Sequence, residues 1–189
     1  CDHRMPPPQR CPECASRLDY LGAGTQRVEE AVKHRFPSAR VMRWDADAVR
    51  QYGYQVMLDR AEENHVDIIV GTQMVSKGFD LPRVTTIGVV QADSMLHLPD
   101  FRSAERTFQL LTQVAGRAGR RGQGGVVVFQ TYTPHHYAIQ AASQHDYERF
   151  YAEELEFRER FRFPPLHRLA RFVIRAGSQQ DAALEAGLM

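Results

Sequence analysis

Asp67-Ile68-Ile69-Val70-Gly71-Thr72-Gln73-Met74-Val75-Ser76-Lys77-Gly78-Phe79-Asp80 is the stretch that decides the fold. Its opening is short, apolar and β-branched, without polar alternation, which suits a strand buried on both faces. The run stops at Gly71, and polar residues gather directly after it. The same unit recurs on either side. Val41 to Trp44 is a strand candidate ending in Asp45, Thr85 to Val90 is another ending near Asp93, and Gly125 to Gln130 is a Val-rich third; Leu18 to Leu21 is a shorter apolar segment. Helical patterns lie between them. Residues 25–36 form one, with Thr25 placed to cap it, Glu29 and Glu30 in its early turns and a stripe of Val28, Val32 and Phe36. Residues 54–64 form another, 101–119 a long one opened by Asp100, and Pro134 introduces a helix running to about Phe161.

Short apolar strands alternating with amphipathic helices predict an α/β fold, a parallel sheet covered by helices on both faces. Ligands in such folds bind beyond the carboxyl ends of the strands. That rule selects Trp44-Asp45, Gly71-Thr72-Gln73 and Gln91-Ala92-Asp93. Pro164-Pro165 ends the last helix, and Leu169 to Ile174 is expected to start a strand of a different domain.

The chain has 189 residues, 43% of them hydrophobic, enough for one complete domain and part of another. Net charge is +1, so nucleic-acid binding has to rest on local patches and not on a global field. No apolar run approaches the roughly 20 residues of a membrane span, and no secretory leader is legible. The chain opens on Cys1 and closes on Gly187-Leu188-Met189 after an Ala-rich acidic stretch, so it reads as a fragment. All three cysteines fall within the first 14 residues, which fits a reducing cytoplasm better than a secreted disulfide framework.

Three sets of residues carry chemistry. Gln113-Val114-Ala115-Gly116-Arg117-Ala118-Gly119-Arg120 places Arg117 and Arg120 three apart, so they share one helical face. Two guanidiniums so placed can grip a γ-phosphate bidentately and never lose their protons, and one can serve as an arginine finger. The same pair also reads as a solvated basic helix end. At Gly71-Thr72 a strand end offers backbone N–H groups and a hydroxyl to a DNA phosphate; Gly78 lets the loop approach a ligand and Asp80 can accept from a ribose hydroxyl. Thr72 serves equally as an ordinary N-cap. Gly24-Thr25-Gln26-Arg27 offers a helix start plus an arginine to a phosphate, or simply a capped helix with Arg27 in water. Cys11-Pro12-Glu13-Cys14 has the spacing of half a zinc knuckle, with Cys1 as a third candidate ligand; a redox pair would need a preceding strand that is not there. No G-x-x-x-x-G-K-[ST] cradle and no acidic box for magnesium occur in the chain.

Taken together, Gly24 to Glu30, Asp67 to Met74, Lys77-Gly78, Asp100 to Arg106 and Gln113 to Arg120 resemble the primosomal replication-restart helicases of superfamily 2. The resemblance covers almost the whole chain and is most specific over Phe101 to Arg120. It implies that residues 18–163 are the second RecA-like lobe of a motor, that residues 1–17 end a cysteine-rich zinc-binding insertion, and that residues 164–189 begin a further domain. It implies Thr72 on the nucleic-acid side, where the reading of the residues adds Gly71, Thr25 and Arg27. It places Gln113, Gly116, Gly78 and Asp80 toward nucleotide, and makes Arg120 the finger with Arg117 as its partner. The family's insertion binds two zinc ions through eight cysteines, of which Cys1, Cys11 and Cys14 match the last three, Cys1 serving a different ion from the Cys11/Cys14 pair.

The cofactors so implied are zinc and ATP with magnesium, the nucleotide being held mainly by a first lobe that this chain does not contain. The implied partners are forked and single-stranded DNA, single-strand-binding protein, and primosome and helicase-loader proteins, with no membrane. The setting is the bacterial cytoplasm, at the nucleoid. Alone, the chain is expected to be inactive. Two other readings stand beside this one. One is a non-catalytic zinc-knuckle and α/β module that docks DNA or replisome proteins; the other is a different superfamily 2 repair translocase.

Overall fold

The computed structural model describes residues 10, 14–16, 24–63, 65–76, 84–119 and 124–187. It resolves into two compact units, Cys1–Phe150 and Tyr151–Met189. In the first, helix α1 (Thr25–Arg35) leads to strand β1 (Val41–Trp44), helices α2 (Ala46–Tyr52) and α3 (Tyr54–Glu62), strand β2 (Ile68–Gly71) and the short helix α4 (Gln73–Ser76). Strand β3 (Thr86–Val89), helix α5 (Ser103–Ala115), strand β4 (Val126–Phe129) and helix α6 (Tyr137–Gln144) follow. Helix α7 (Tyr147–Arg160) carries the chain into the second unit, which also contains α8 (Gln179–Gly187).

Both strand pairs among the described residues are parallel, as the predicted alternation of strands and helices requires. β1 pairs with β2, Val41 opposite Ile68 and Trp44 opposite Gly71; β3 pairs with β4, Thr86 opposite Val126 and Val89 opposite Phe129. Each pair has its own core. Trp44, fully buried, packs with Ala48 and Met57 beside β1–β2. Beside β3–β4, α5 and α6 bring Phe108, Leu111, Ile139 and Ala142 together, and the Phe108 and Phe150 rings stack at 4.1 Å. Complete burial of Leu111 alone contributes about 1.5–3 kcal/mol. The opposite side of β4 leaves Val126 and Val128 exposed among the described residues.

Several elements depart from the sequence expectation. α2 is an extra helix, started by the Asp45 carboxylate, which accepts the Ala48 N–H at 2.9 Å. Thr25 is the first helical residue of α1; the N-cap is Gly24. The helix foreseen from Pro134 to Phe161 is two helices. His145 adopts a left-handed backbone (φ 54°), and the Asp146 N–H bonds back to the Ala141 carbonyl while its carboxylate accepts the Arg149 N–H. Residues 169–174 form no strand: Leu169, Phe172 and Val173 are exposed, and nothing pairs with their backbone among the described residues.

Candidate nucleotide and nucleic-acid interface

The carboxyl ends of the strands gather polar groups. At the end of β1, Asp45 Oδ2 accepts the Thr25 hydroxyl at 2.5 Å and lies 3.1 Å from Arg43 Nε. Burial pushes this carboxyl up. The Thr25 hydroxyl, the Ala48 N–H and the Arg43 charge together outweigh burial and hold it below the usual carboxylate range. Thr25 is thereby pinned through its side chain, and the start of α1 is fixed against the end of β1. Arg27, one turn position on, is exposed.

Next to this lies the end of β2. Gly71 faces Trp44 across the sheet, so close that a Cβ on residue 71 would lie 2.5 Å from the Trp44 carbonyl oxygen and overlap the Val75 side chain. Only glycine permits the approach. Thr72, exposed, follows immediately, and its carbonyl accepts the Val75 N–H at 3.0 Å, which starts the turn of α4. Gln73 Nε2 reaches Met95 Sδ at 3.3 Å, tying the β2 exit to the turns after β3. In those turns Asp93, 2% exposed, accepts the Tyr132 N–H at 3.0 Å and so fastens the exits of β3 and β4 to each other. The three segments selected by the strand-end rule therefore do stand at strand ends. The sequence, however, did not show that Asp45 and Asp93 act as internal struts.

Gln113, Gly116 and Arg117 lie elsewhere. α5 starts at Ser103, whose hydroxyl donates to the Leu98 and Asp100 carbonyls, while the Asp100 carboxylate accepts the Arg102 N–H and pairs with Arg106 at 2.8 Å. Those contacts hold the Asp100 carboxyl below its usual range. The helix ends at Ala115, four residues short of the expected end, with Gly116 as its C-cap. Arg117 is therefore in a turn, half-buried, and not on a helical face. Gly119 (φ +69°) closes that turn; its N–H bonds to the Val84 carbonyl just before β3, and a Cβ there would come within 2.7 Å of Gly124, just before β4. Arg117 is thus held at the amino edge of β3–β4, with exposed Gln113 one turn back on α5. The structure does not bring it together with Thr72 and Thr25, which stand at a carboxyl edge. Two separate faces result: a hydroxyl-and-glycine edge, and an arginine turn locked by glycines.

Gly78, Asp80, Arg120, Cys1 and Cys11 lie outside the described residues. Cys14 is exposed, with its Sγ 2.9 Å from the Ser16 hydroxyl. Among the described residues no group of three His, Cys, Asp or Glu could hold a metal ion, and no helix is long and apolar enough to cross a membrane.

A parallel α/β lobe with a glycine-locked arginine turn after core helix α5 defines a class, and comparison agrees. The model of the helicase conserved C-terminal domain matches residues 23–122, more than half of the chain, and the chain belongs to that family. Its architecture is that of an α/β RecA-like lobe. More particularly, it is 50% identical to the replication restart protein PriA of Bacillus subtilis over 188 residues, 98% of this chain and 23% of that protein. It is 48% identical to the protein of the same name from Synechocystis over 89% of the chain and 21% of the relative. The Thermotoga maritima protein of that name is 36% identical over 89% of the chain and 23% of the relative. The chain spans about a quarter of the length of the curated relatives it matches.

Proposed function

We propose that this chain is the second motor lobe of an ATP-dependent DNA helicase that restarts stalled replication forks and helps assemble the primosome. The observation that carries the reading is the 50% identity to a replication restart protein over 98% of the chain. In this reading residues 18–163 form the lobe, residues 1–17 close a zinc-binding insertion through Cys1, Cys11 and Cys14, and residues 164–189 begin the next domain. Single-stranded and forked DNA, single-strand-binding protein and helicase-loader proteins are the partners, in the bacterial cytoplasm at the nucleoid.

The chemistry divides between the two faces. ATP with magnesium supplies the free energy of phosphoryl transfer, held mainly by a separate lobe. On the arginine face, Arg120 meets the γ-phosphate as the finger, Arg117 and Gln113 orient it, and Gly116 leaves room for the nucleotide; Gly78 and Asp80 are assigned to the nucleotide as well. A guanidinium suits this work because it presents a rigid fork and keeps its charge at any working pH. On the strand-end face, Thr72 and the N–H groups beside Gly71 contact a backbone phosphate, with Thr25 and Arg27 at the α1 start as a second contact. Such contacts read charge and spacing and not sequence, as a translocating motor requires. Closure of the lobes around nucleotide then moves one grip relative to the other.

In the full-length protein, Arg120→Ala should abolish DNA-stimulated ATP hydrolysis while fork binding stays at the wild-type level. Turnover that survives the substitution overturns the finger assignment. The docking-module reading is favoured by one feature, the missing phosphate cradle in this chain; a full-length protein that binds forks but hydrolyses no ATP would establish it instead.

A further inference from the structure

α7 ends on a reversal that its sequence does not favour. The Arg162 N–H bonds to the Glu159 carbonyl at 3.1 Å, and the Phe163 N–H bonds to the Arg158 carbonyl at 2.8 Å. This is the paired closure in which one residue turns left-handed, a position that glycine takes most readily. Here the residue is Arg162, at φ 56°. The reversal folds Phe163 back onto the helix. Its ring centroid lies 6.1 Å from that of Phe157 and 6.3 Å from that of Phe161, and Phe157 and Phe161 are themselves 4.7 Å apart. A three-ring knuckle results, yet Phe161 stays 52% exposed and Phe157 37%.

The charges around it are arranged in two roles. Arg158 supports the knuckle internally: it is mostly buried, 2.7 Å from Glu154, and donates to the Pro164 carbonyl at 3.1 Å. Arg160 stands 5.6 Å over the exposed Phe161 ring. Arg160 and Arg162 are both exposed and, among the described residues, neither pairs with a carboxylate. From Phe157 to Arg175 the sequence carries arginine at 158, 160, 162, 168, 171 and 175, and Glu159 is its one acid.

Basic residues at a helix end answer the helix dipole, and that accounts for Arg158 and Arg160. It does not account for flat aromatic rings left in water, nor for an arginine where glycine would sit without strain. Exposed rings interleaved with guanidiniums that, among the described residues, no carboxylate holds match an unpaired nucleic-acid strand, whose bases stack on the rings while its phosphates meet the charges.

We propose that Phe157, Phe161 and Phe163, with Arg160 and Arg162, form a stacking site for single-stranded nucleic acid. The site lies in the unit of residues 151–189 and does not rest on the roles given to Thr72 or Arg117. Its binding is tolerant of sequence, because every base has a π face, and sensitive to salt.

The test is fluorescence anisotropy of a labelled 15-nucleotide oligo-dT with the intact chain. Phe161→Ala should weaken binding at least about fivefold, and Phe161→Tyr should keep it. Arg162→Gly should weaken binding and flatten its dependence on log salt by about 0.7, while raising the unfolding midpoint by releasing the left-handed arginine. That opposite movement of binding and stability is something a merely structural arginine would not show. Thr72→Ala should leave the Phe161 dependence intact, separating this site from the strand-end face. An abasic 15-mer with the same phosphates should bind the wild type more weakly and ignore Phe161→Ala. The proposal is overturned by equal oligo-dT binding in wild type and Phe161→Ala, or by equal affinity for the abasic strand. Poly-glutamate that displaces oligo-dT with the same Phe161 dependence also overturns it, making the knuckle a surface for acidic peptides.

Discussion

Asp67 shows how much one side chain at a strand entrance can fix. Its carboxylate accepts from Arg40 three times: from Nη2 at 2.7 Å, from the backbone N–H at 2.8 Å and from Nε at 2.9 Å. The Arg40 side-chain and backbone bonds hold the Asp67 carboxyl far below the usual carboxylate range. The contact joins the residue before β1 to the residue before β2, so it sets the register that brings Trp44 opposite Gly71. Because the folded carboxyl titrates below the ordinary 3.8, its contribution is complete above that pH and is lost as pH falls further. Urea midpoints of wild type and Asp67→Asn should therefore differ most near neutral pH and converge as pH drops below about 4. A gap that stays constant across that range means the charge contributes nothing. Both groups are solvent-exposed, which keeps the expected gap small.

At the scale of elements, the junction of α6 and α7 is built without glycine or proline. The His145 N–H bonds to the Ala142 carbonyl, and the Asp146 N–H bonds to that of Ala141, closing α6 through a left-handed histidine. Left-handed backbone costs a residue with a Cβ about 1–2 kcal/mol, and glycine's extra freedom when unfolded returns part of that. His145→Gly should raise stability by about 0.5–1 kcal/mol in urea unfolding; a loss of stability would show that the histidine side chain itself supports the junction. The same junction explains what the sequence hid. β1 to β4 are legible within a residue or two, because each is a short, mostly apolar run ended by a polar cluster. The α6–α7 break is not, because His-Asp carries none of the usual punctuation. α2 is hard to see in the sequence because its start signal, Asp45, also serves as the polar end of β1. Over 169–174 the apolar pattern was real, but a strand exists only with a partner. For the site, residue types were legible and their edge was not. Arg117 and Arg120 were read on one helical face, whereas α5 stops at Ala115 because Gly116 and Gly119 turn the chain at that point.

At the scale of the whole chain, the arrangement of charge says more than its sum. A net charge of +1 gives no long-range field to attract DNA. In the reading proposed above, contact comes from local sets: hydroxyl and backbone donors beside Gly71 and guanidiniums in the segment after Phe157. The arginine turn stands at the amino edge of β3–β4 and the strand-end donors at the carboxyl edge of β1–β2, so under the proposed roles nucleotide and nucleic acid would not compete for one surface. What such a body cannot do alone follows from the chemistry of phosphoryl transfer. The transferring group needs a cradle of backbone donors with a lysine, a coordinated magnesium, and cationic stabilisation of the charge that develops. This sequence has no G-x-x-x-x-G-K-[ST] loop, so it can supply only the third. Losing the cradle and the metal together leaves no route by which arginines raise the rate, since they act on a phosphate already positioned. Purified on its own, the chain should release no phosphate from ATP above the blank, with or without single-stranded DNA. Arg117→Ala and Arg120→Ala should then change nothing in that assay, although Arg120→Ala is expected to abolish hydrolysis in the full-length protein. DNA-stimulated hydrolysis that coelutes with the chain and disappears in Arg120→Ala would mean that the phosphate cradle is built from residues of this lobe.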